Sequence, residues 1–250
     1  MRVLADLHTH TVASGHAYST VAELAASAAA KGLELIAVTD HGPGCPGGAH
    51  PYHFWNLKAL PSVLGGVRLL KGVETNLVDS DNGLDLPDEI LAQLDYVAVG
   101  FHPAGGFDDG DAGRNTRALV RVMENPLVDA VTHPGNGHYP VDVHEVVEAA
   151  VRHRVALELN DWTFSGTSSR TQFAEGELEV ARLAKAAGAK VVVGSDAHFH
   201  LHVGRFDAAL AAAEAAGLTE DDVVNTTADR VLAHLLEKRE RPRLDAGGEW

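Results

Sequence analysis

Cysteine is almost absent from this sequence, since Cys45 is the only one among 250 residues. No disulfide can therefore form within the chain and no cage of thiolates can hold a metal ion, which fits a reducing cytoplasm. Long apolar runs are also absent, because none approaches the roughly 20 residues of a membrane-spanning helix. The first residues, MRVLADLH, lack the basic stretch and apolar core of a signal peptide. We predict a soluble, cytoplasmic protein that does not bind membranes.

Positive charge is scarce as well. The chain has 20 Lys and Arg against 35 Asp and Glu, which gives a formal net charge of −15. An acidic chain repels phosphate backbones, so neither long nucleic acid nor an anionic membrane is an expected partner. Bound metal ions do not enter this count, so a locally positive site is still compatible with the acidic exterior.

Short apolar runs rich in β-branched residues alternate along the chain with amphipathic, alanine-rich stretches. The apolar runs predict seven strands, at residues 3–7, 35–39, 67–75, 96–101, 130–132, 156–159 and 191–195. The amphipathic stretches predict helices at residues 19–31, 115–124, 142–152, 175–187 and 206–216. This alternation favours a parallel sheet. Seven units predict an α/β fold with a closed or nearly closed TIM-like barrel, and a doubly wound open sheet is the alternative.

Nothing in the sequence marks a domain boundary, so we predict a single domain over residues 1–237. Residues 238–250 lose apolar periodicity and form a charged tail that is predicted to be disordered. Residues 43–53 are dense in Gly and Pro, and residues 105–114 are rich in Gly and Asp. Both segments are predicted to be loops beyond strand ends.

A pair of histidines, His8 and His10, ends the first predicted strand. Residues two apart on an extended chain face the same way, so both imidazoles can reach one ion. Asp196 and His198 repeat this spacing after the last predicted strand. Because a closed barrel makes the first and last strands neighbours, the two pairs are expected to converge.

The other strands also carry polar residues where they end. The loop after the first strand holds His16, the second strand ends at His41, Glu74 lies on the third, and the fourth and fifth end at His102 and His133. Barrels of this kind build their active sites at the C-terminal ends of the strands. A single histidine is more often a surface or structural residue, but chance would not place one after nearly every strand. The joint placement predicts a metal centre.

The ligand types indicate which metal ions would bind. Imidazole and carboxylate without thiolate favour Zn, with Mn or Fe as alternatives, over Ca or Mg. Nine ligand side chains are too many for one four-coordinate ion, whereas three divalent ions with a bridging carboxylate and bridging solvent would use them all. Glu74 is the predicted bridging carboxylate.

The motifs HTH, TDHG, GVETN, GFHP, THPGN and GSDAH occur in this order, and they resemble those of the PHP (polymerase and histidinol phosphatase) superfamily. The likeness is strongest to its stand-alone bacterial trinuclear zinc phosphatases, and it runs from Val3 to about Leu236. It implies a distorted (β/α)7 barrel. It also implies three sets of metal ligands, which are His8, His10, Glu74 and Asp196 for one ion, Glu74, His102 and His133 for a second, and His16, His41 and His198 for a third.

Three divalent ions against two ligand carboxylates would create a positive pocket that binds a phosphate dianion. We therefore predict a phosphatase that hydrolyses small phosphomonoesters, with a hydroxide that bridges two ions as the nucleophile and no covalent enzyme intermediate. Its catalytic residues are predicted to be Glu74, Asp196 and His198.

Several residues are expected around the ions. Arg170 lies in a loop where the family tends to carry an arginine, and Asn76 and Asn160 lie just past strand ends, so these three are the predicted substrate contacts. A solvated loop arginine is the alternative for Arg170. Asp6 is expected beneath the metals and Asp40 beside a ligand imidazole, unless either is a buried structural carboxylate.

The remaining histidines fall into three groups. His50 and His53 lie in the predicted loop 43–53, where they would contact either substrate or solvent. A surface position on helices is expected for His144, His153 and His234, whereas no role is predicted for His138, His200 and His202, which lie near ligand positions.

Three other functions compete with the phosphatase. A metal-dependent amidohydrolase also uses an HxH pair on the first strand and an aspartate on the last, but its usual bridging lysine has no match here. A 3′-5′ exonuclease or nucleotidase is a second alternative, against which the acidic surface argues. A metal-binding module without turnover is the third.

Overall fold

Seven parallel strands form a nearly closed barrel in the computed structural model, which describes residues 1–79, 83–103, 107, 111–166 and 169–239. The strands are β1 (Ala5–Asp6), β2 (Leu35–Val38), β3 (Val63–Leu64), β4 (Val67–Asn76), β5 (Tyr96–Gly100), β6 (Ala130–Val131), β7 (Ala156–Asn160) and β8 (Val191–Gly194). Apart from β3, they pair in chain order and in parallel, as β1-β2-β4-β5-β6-β7-β8. Each predicted strand is confirmed, although β1 and β6 are shorter than expected.

The two ends of the sheet approach each other just beyond β1 and β8. Thr9 and Ala197 form an isolated parallel bridge there. The backbone N–H of Ala197 donates to the carbonyl of His8 at 3.2 Å, and the N–H of His10 donates to the carbonyl of Ala197 at 2.9 Å. These bonds join the HTH and GSDAH motifs, so the barrel prediction is confirmed over the open sheet.

One strand was not predicted. The short strand β3 pairs antiparallel with the start of β4 through a hairpin at Gly65 and Gly66. Both glycines have positive φ, +62° and +86°, which suits the tight two-residue turns that join twisted strands.

Helices cover the barrel. They are α1 (Val21–Ala30), α2 (Pro51–Asn56), α3 (Asp88–Leu91), α4 (Ala112–Met123), α5 (Val143–His153), α6 (Asp161–Phe164), α7 (Ala174–Ala187), α8 (Asp207–Ala215) and α9 (Ala228–Lys238). The five helices predicted by residue range correspond to α1, α4, α5, α7 and α8. The larger apolar cluster lies between these helices and the strands. No helix within the described ranges has both the length and the apolar composition needed to cross a membrane.

Capping residues explain where the predicted boundaries were wrong. Helix α1 begins at Val21, two residues after the predicted start at 19, because Thr20 caps it in a capping box with Glu23. Helix α4 begins three residues before the predicted start at 115, because the Asp111 side chain accepts from the N–H of Arg114 at 2.8 Å. The predicted loop 43–53 ends early, because Pro51 starts α2 and His50 Nδ1 accepts from the N–H of Tyr52 at 3.1 Å.

Helix α9 closes the end of the barrel opposite the histidines. Val231 and Leu235 are buried in the smaller apolar cluster, against inward-facing residues such as Ala5, Leu35 and Leu70. The helix ends at Lys238, so the first residue of the predicted tail belongs to α9. Residues 240–250, and residues 104–106 and 108–110 in and beside the predicted loop 105–114, lie outside the described part of the chain.

Candidate metal centre

The carboxylate of Glu74 lies at the centre of the histidine cluster. Its side chain, near the end of β4, is fully buried. Five imidazoles surround it: Oε2 is 2.9 Å from His41 Nδ1, 3.2 Å from His8 Nε2 and 3.6 Å from His10 Nε2, and Oε1 is 3.1 Å from His133 Nε2 and 3.2 Å from His102 Nε2. Imidazoles that follow four strands therefore converge on a carboxylate from a fifth, as the barrel geometry requires.

Asp196 is the second carboxylate of the cluster. Its Oδ1 lies 3.2 Å from His10 Nε2, 3.4 Å from His8 Nε2 and 3.5 Å from His198 Nδ1. The predicted convergence is thus confirmed, because the pair after β1 and the pair after β8 meet. Asp196 has a φ of +52° and His133 a φ of +33°, values that non-glycine residues rarely adopt. Such strain persists where surrounding structure enforces it, and it is common at functional sites.

His16 lies at the exposed edge of the cluster. Its ring centroid is 5.0 Å from that of His41 and 4.7 Å from that of His198. The rings of His10 and His198 are 4.3 Å apart. The structure therefore brings together all nine residues predicted as ligands, with His16 nearest to solvent.

The donor atoms fit divalent metal ions. Three overlapping groups each have ligand atoms within 4.8 Å of one another, namely His10, His41 and His198, then His8, His10 and Glu74, then His41, Glu74 and His102. Several buried ligand atoms lie close to other atoms of the cluster but have no well-aligned hydrogen bond within the described part of the chain: His8 Nε2, His10 Nε2, His41 Nδ1, His102 Nε2 and Glu74 Oε2. Buried polar atoms without a partner are costly, and bound cations would satisfy these. Imidazole and carboxylate donors suit Zn and similar ions.

The two carboxylates are held in their charged forms. Burial by itself would raise the pKa of Glu74, but His102, His8 and His41 outweigh it and hold that pKa well below the usual range. Burial also acts to raise the pKa of Asp196, and His8 and Arg170 lower it well below its usual value. Both groups therefore present negative charge to a cation at neutral pH.

The surroundings shift the pKa values of the histidines in different directions. For His10, burial and the neighbouring His41 and His198 lower the pKa well below the usual range. Burial, with the same two neighbours, lowers the pKa of His16 to about 4. For His8, burial acts downward, but Glu158 and the cluster carboxylates raise its pKa well above the usual value. His10 and His16 are thus already neutral, as metal ligation requires, whereas His8 must release a proton.

Sequence reasoning missed Glu158, on β7. This carboxylate is buried, and its Oε1 accepts from His8 Nδ1 at 2.6 Å. Its Oε2 accepts from the N–H of His133 at 2.9 Å. The available signal was a lone acidic residue within the apolar strand ALELN, which costs free energy unless it is paired.

The two asparagines predicted as substrate contacts are engaged within the protein. The Asn76 Oδ1 lies 2.7 Å from His102 Nδ1, and its amide donates to Asp85 and to the carbonyl of Gly42. Asn160 donates to Asp196 Oδ2 at 3.2 Å and to Glu158. Both side chains are fully buried. The structure therefore has them orient candidate ligands, in place of the expected exposure to substrate.

Arg170 reaches the cluster. Its guanidinium forms an ion pair with Asp196, and its side chain is 20% exposed. A fully solvated loop arginine, the alternative considered above, does not describe this residue.

Asp6 and Asp40 both lie near the candidate ligands. Asp6 accepts from the hydroxyl of Ser195 at 2.5 Å and from the N–H of Gly204 at 2.8 Å, and burial raises its pKa to about 6. It ties β1 to the chain that follows β8. Asp40 binds Thr11 and Ser14, pairs with His53 at 3.4 Å, and lies near the candidate ligand His10, which helps to lower its pKa. The Ser14 hydroxyl, which donates to Asp40, is 3.5 Å from His10 Nδ1, in line with the expected position beside a ligand imidazole.

The other histidines lie outside the cluster. His138 packs against Phe173, His200 lies 3.2 Å from the Ser19 hydroxyl, and His202 lies beside Trp162. The predicted helical histidines lie on α5 and α9: His144, His153 and His234.

The fold and site together define a parallel α/β barrel that carries a cluster of buried candidate metal ligands at the C-terminal ends of its strands. The profile of the PHP domain matches residues 6–134. Over 249 residues the chain is 45% identical to a probable phosphatase of Thermoanaerobacter sp. (strain X514), covering 100% of this chain and 99% of that protein. It is 43% identical to a probable phosphatase of Acetivibrio thermocellus, covering 97% and 99% of the two chains. The chain belongs to the PHP family.

A solved structure supports the fold. The barrel is similar to that of histidinol phosphate phosphatase from Lactococcus lactis, which was solved with Zn, L-histidinol and phosphate. The TM-score is 0.64 at 18% sequence identity, and the match covers 88% of this chain and 95% of that one. This likeness concerns the arrangement of strands and helices. The predicted family and its barrel fold are both confirmed.

Proposed function

We propose that this protein is a phosphatase that hydrolyses small phosphomonoesters with divalent metal ions, Zn first among them and Mn or Fe as alternatives. One observation carries the proposal: a single buried carboxylate, Glu74, lies within 3.6 Å of five imidazoles that follow four different strands. A carboxylate in this position can be shared by two ions. A site for a single ion would not need a carboxylate surrounded by so many imidazoles. The relatives that match nearly the whole chain are named probable phosphatases, and this supports the same reaction.

The ligand sets follow the resemblance noted in the sequence. His8, His10, Glu74 and Asp196 would hold one ion, Glu74, His102 and His133 a second, and His16, His41 and His198 a third. The short distances within the cluster support each set, since His16 lies beside His41 and His198, and His133 beside Glu74. When bound, such ions supply Lewis acidity to phosphoryl oxygens and make water a nucleophile near neutral pH.

The chain's own residues bind and orient the phosphate. Arg170 brings a guanidinium to the edge of the cluster, where it can donate two parallel hydrogen bonds to phosphoryl oxygens. In doing so it would exchange part of its contact with Asp196 for the substrate. Asn160 keeps Asp196 in place through its 3.2 Å hydrogen bond. The positive charge of Arg170 offsets the acidic exterior at this one position.

Metal removal and restoration test the proposal. Purified protein is dialysed against a chelator, and p-nitrophenyl phosphate hydrolysis is measured before and after Zn or Mn is restored. We expect activity to disappear on chelation and to return with metal, and we expect Glu74→Gln to stay inactive under both conditions. Phosphatase activity that is indifferent to chelator and metal would refute the metal mechanism.

A wider panel separates the competing functions. Cyclic amides test an amidohydrolase, and a single-stranded oligonucleotide tests an exonuclease, each beside a set of small phosphomonoesters. Preferential turnover of the phosphomonoesters supports the proposal. A protein that is fully loaded with metal but hydrolyses none of these substrates is a metal-binding module, and the proposed reaction is then wrong.

A further inference from the structure

Glu158 links two of the proposed metal positions, although it is not itself in any ligand set. The residue is 1% exposed. Oε1 accepts from His8 Nδ1 at 2.6 Å, and Oε2 accepts from the backbone N–H of His133 at 2.9 Å. His8 and His133 belong to different ligand sets and follow strands that are not neighbours in the barrel, β1 and β6. One buried side chain therefore contacts one ligand from each of these two sets.

We infer that Glu158 is a positioning residue for metal binding, which fixes His8 and His133 together and so couples two ion sites. This inference rests on the metal centre in the proposed function. A hydrogen bond at Nδ1 leaves Nε2 of His8 as its ligand atom and directs it toward Glu74 and Asp196, which lie 3.2 and 3.4 Å away. The bond to His133 restrains a backbone whose φ of +33° is strained.

The rest of the site is built around this carboxylate. The Asn160 amide donates to Oε2 at 3.1 Å, so three N–H groups converge on the two oxygens of Glu158. Gly194, in the GSDAH motif, leaves the space that the side chain occupies. A Cβ at position 194 would collide with Glu158 Oε1 and lie 3.1 Å from the Cβ of His8. Glycine is required at this position because the side chains of Glu158 and His8 lie so close to it. Backbone conformation is not the reason, since Gly194 is not among the residues with positive φ.

Glu158→Gln tests the inference at constant size. A carboxylate has two acceptor oxygens, whereas an amide has one and places an NH₂ group against donors. Either orientation of the new amide therefore loses the bond to His8 or opposes the N–H of His133. We expect Zn affinity to fall about 10- to 100-fold at the two sites that contain His8 and His133. The third site, of His16, His41 and His198, should keep its affinity.

The measurement uses Zn alone as the probe. Bound Zn is counted at buffered free Zn concentrations, with a chromophoric chelator as competitor, and the unfolding free energy of the metal-stripped protein is measured in parallel. Glu177→Gln is the matched control. It is another fully buried glutamate, and burial raises its pKa to about 8, so it is mostly neutral at pH 7 and Gln preserves its charge. The Zn affinities of this control should stay within about threefold of wild type, since within the described part of the chain no hydrogen bond or ion pair joins Glu177 to a proposed ligand.

Gly194→Ala gives a second variant, which displaces the carboxylate without changing its charge. We expect it to weaken the same two sites. Wild-type Zn affinity at all three sites in either variant, when that variant folds, would overturn the inference, and so would an equal loss at all three sites. Wild-type protein that binds no Zn would overturn both this inference and the proposed function. Wild-type protein that binds Zn but hydrolyses no phosphoester would defeat the proposed reaction alone.

Discussion

A buried carboxyl group on α7 gives a prediction about stability that can be worked out in numbers. Glu177 is fully buried, and within the described part of the chain its carboxyl group has no well-aligned hydrogen bond beyond a weak one from the backbone N–H of Gly135. Burial raises its pKa from the usual 4.5 to about 8, with a further upward contribution from the nearby Glu158, and Gly135 and Arg170 only partly oppose this. The native protein therefore retains a proton that the unfolded chain releases near pH 4.5.

The direction of the pH effect follows from this difference. Below pH 4.5 the group is protonated in both states and contributes no penalty. Between pH 4.5 and 8 the unfolded chain loses the proton while the native protein keeps it, so the wild type becomes less stable as pH rises. At about 1.4 kcal/mol per pKa unit, the full effect is about 5 kcal/mol of unfolding free energy, complete above pH 8. Glu177→Gln removes this dependence, because an amide does not titrate.

Urea unfolding of metal-stripped protein at several pH values between about 5 and 8.5 measures this effect. We expect the stability of Glu177→Gln relative to wild type to increase with pH, approaching a gain of about 5 kcal/mol. Glu175→Gln, in the same helix turn with a side chain that is 80% exposed, is the control, and its difference from wild type should stay within about 0.5 kcal/mol. A Glu177→Gln difference that is flat across the pH range would refute the reasoning, because the buried carboxyl would then have an ordinary pKa.

Three further predictions concern the site and the barrel. Glu74→Gln should lower bound Zn, counted by elemental analysis, and reduce phosphatase activity at least about 100-fold, since it removes the negative charge at the centre of the histidine cluster. Full metal content in this variant would contradict the proposed role of Glu74. Arg170→Lys should lower kcat/KM for phosphomonoesters about 10-fold and weaken inhibition by inorganic phosphate, while Zn content stays unchanged, because an ammonium cannot make the bidentate contact. Leu235→Ala should lower the unfolding free energy by about 2 to 5 kcal/mol in urea titrations, because it opens a cavity where α9 closes the barrel. The kcat of this variant at saturating Zn should equal that of the wild type. Loss of Zn binding in Leu235→Ala would show that the two ends of the barrel are coupled.

The sequence led directly to features that depend on local geometry. Alternating β and α segments predicted the barrel, and the position of each polar residue at a strand end predicted the candidate ligands. His8 and His10 could be paired because residues two apart on an extended chain share a face. His41, His102 and His133 followed because parallel strands in a barrel present the same end to the same side.

Other features escaped the sequence because they depend on contacts between distant segments. Asn76 and Asn160 were assigned to the substrate, since a polar residue past a strand end has the same local pattern whether it faces solvent or supports a ligand. Only the packed barrel shows that Asn76 contacts His102 and that Asn160 contacts Asp196. His234 was expected on a helix, but the closure of the barrel by that helix, α9, was missed for the same reason.

Glu158 illustrates the difference between what the sequence determined and what the tertiary structure determined. By itself the sequence determined that this chain folds as an α/β barrel with histidines and carboxylates at one end, because strand periodicity and strand order are properties of neighbouring residues. The tertiary structure decided which buried groups orient those side chains. His8 and Glu158 are 150 positions apart, and their 2.6 Å contact depends on strand register, barrel curvature and the absence of a side chain at Gly194. Gly194 can be read from the sequence, but its role in this contact cannot, and neither strand register nor barrel curvature has a local signature along the chain.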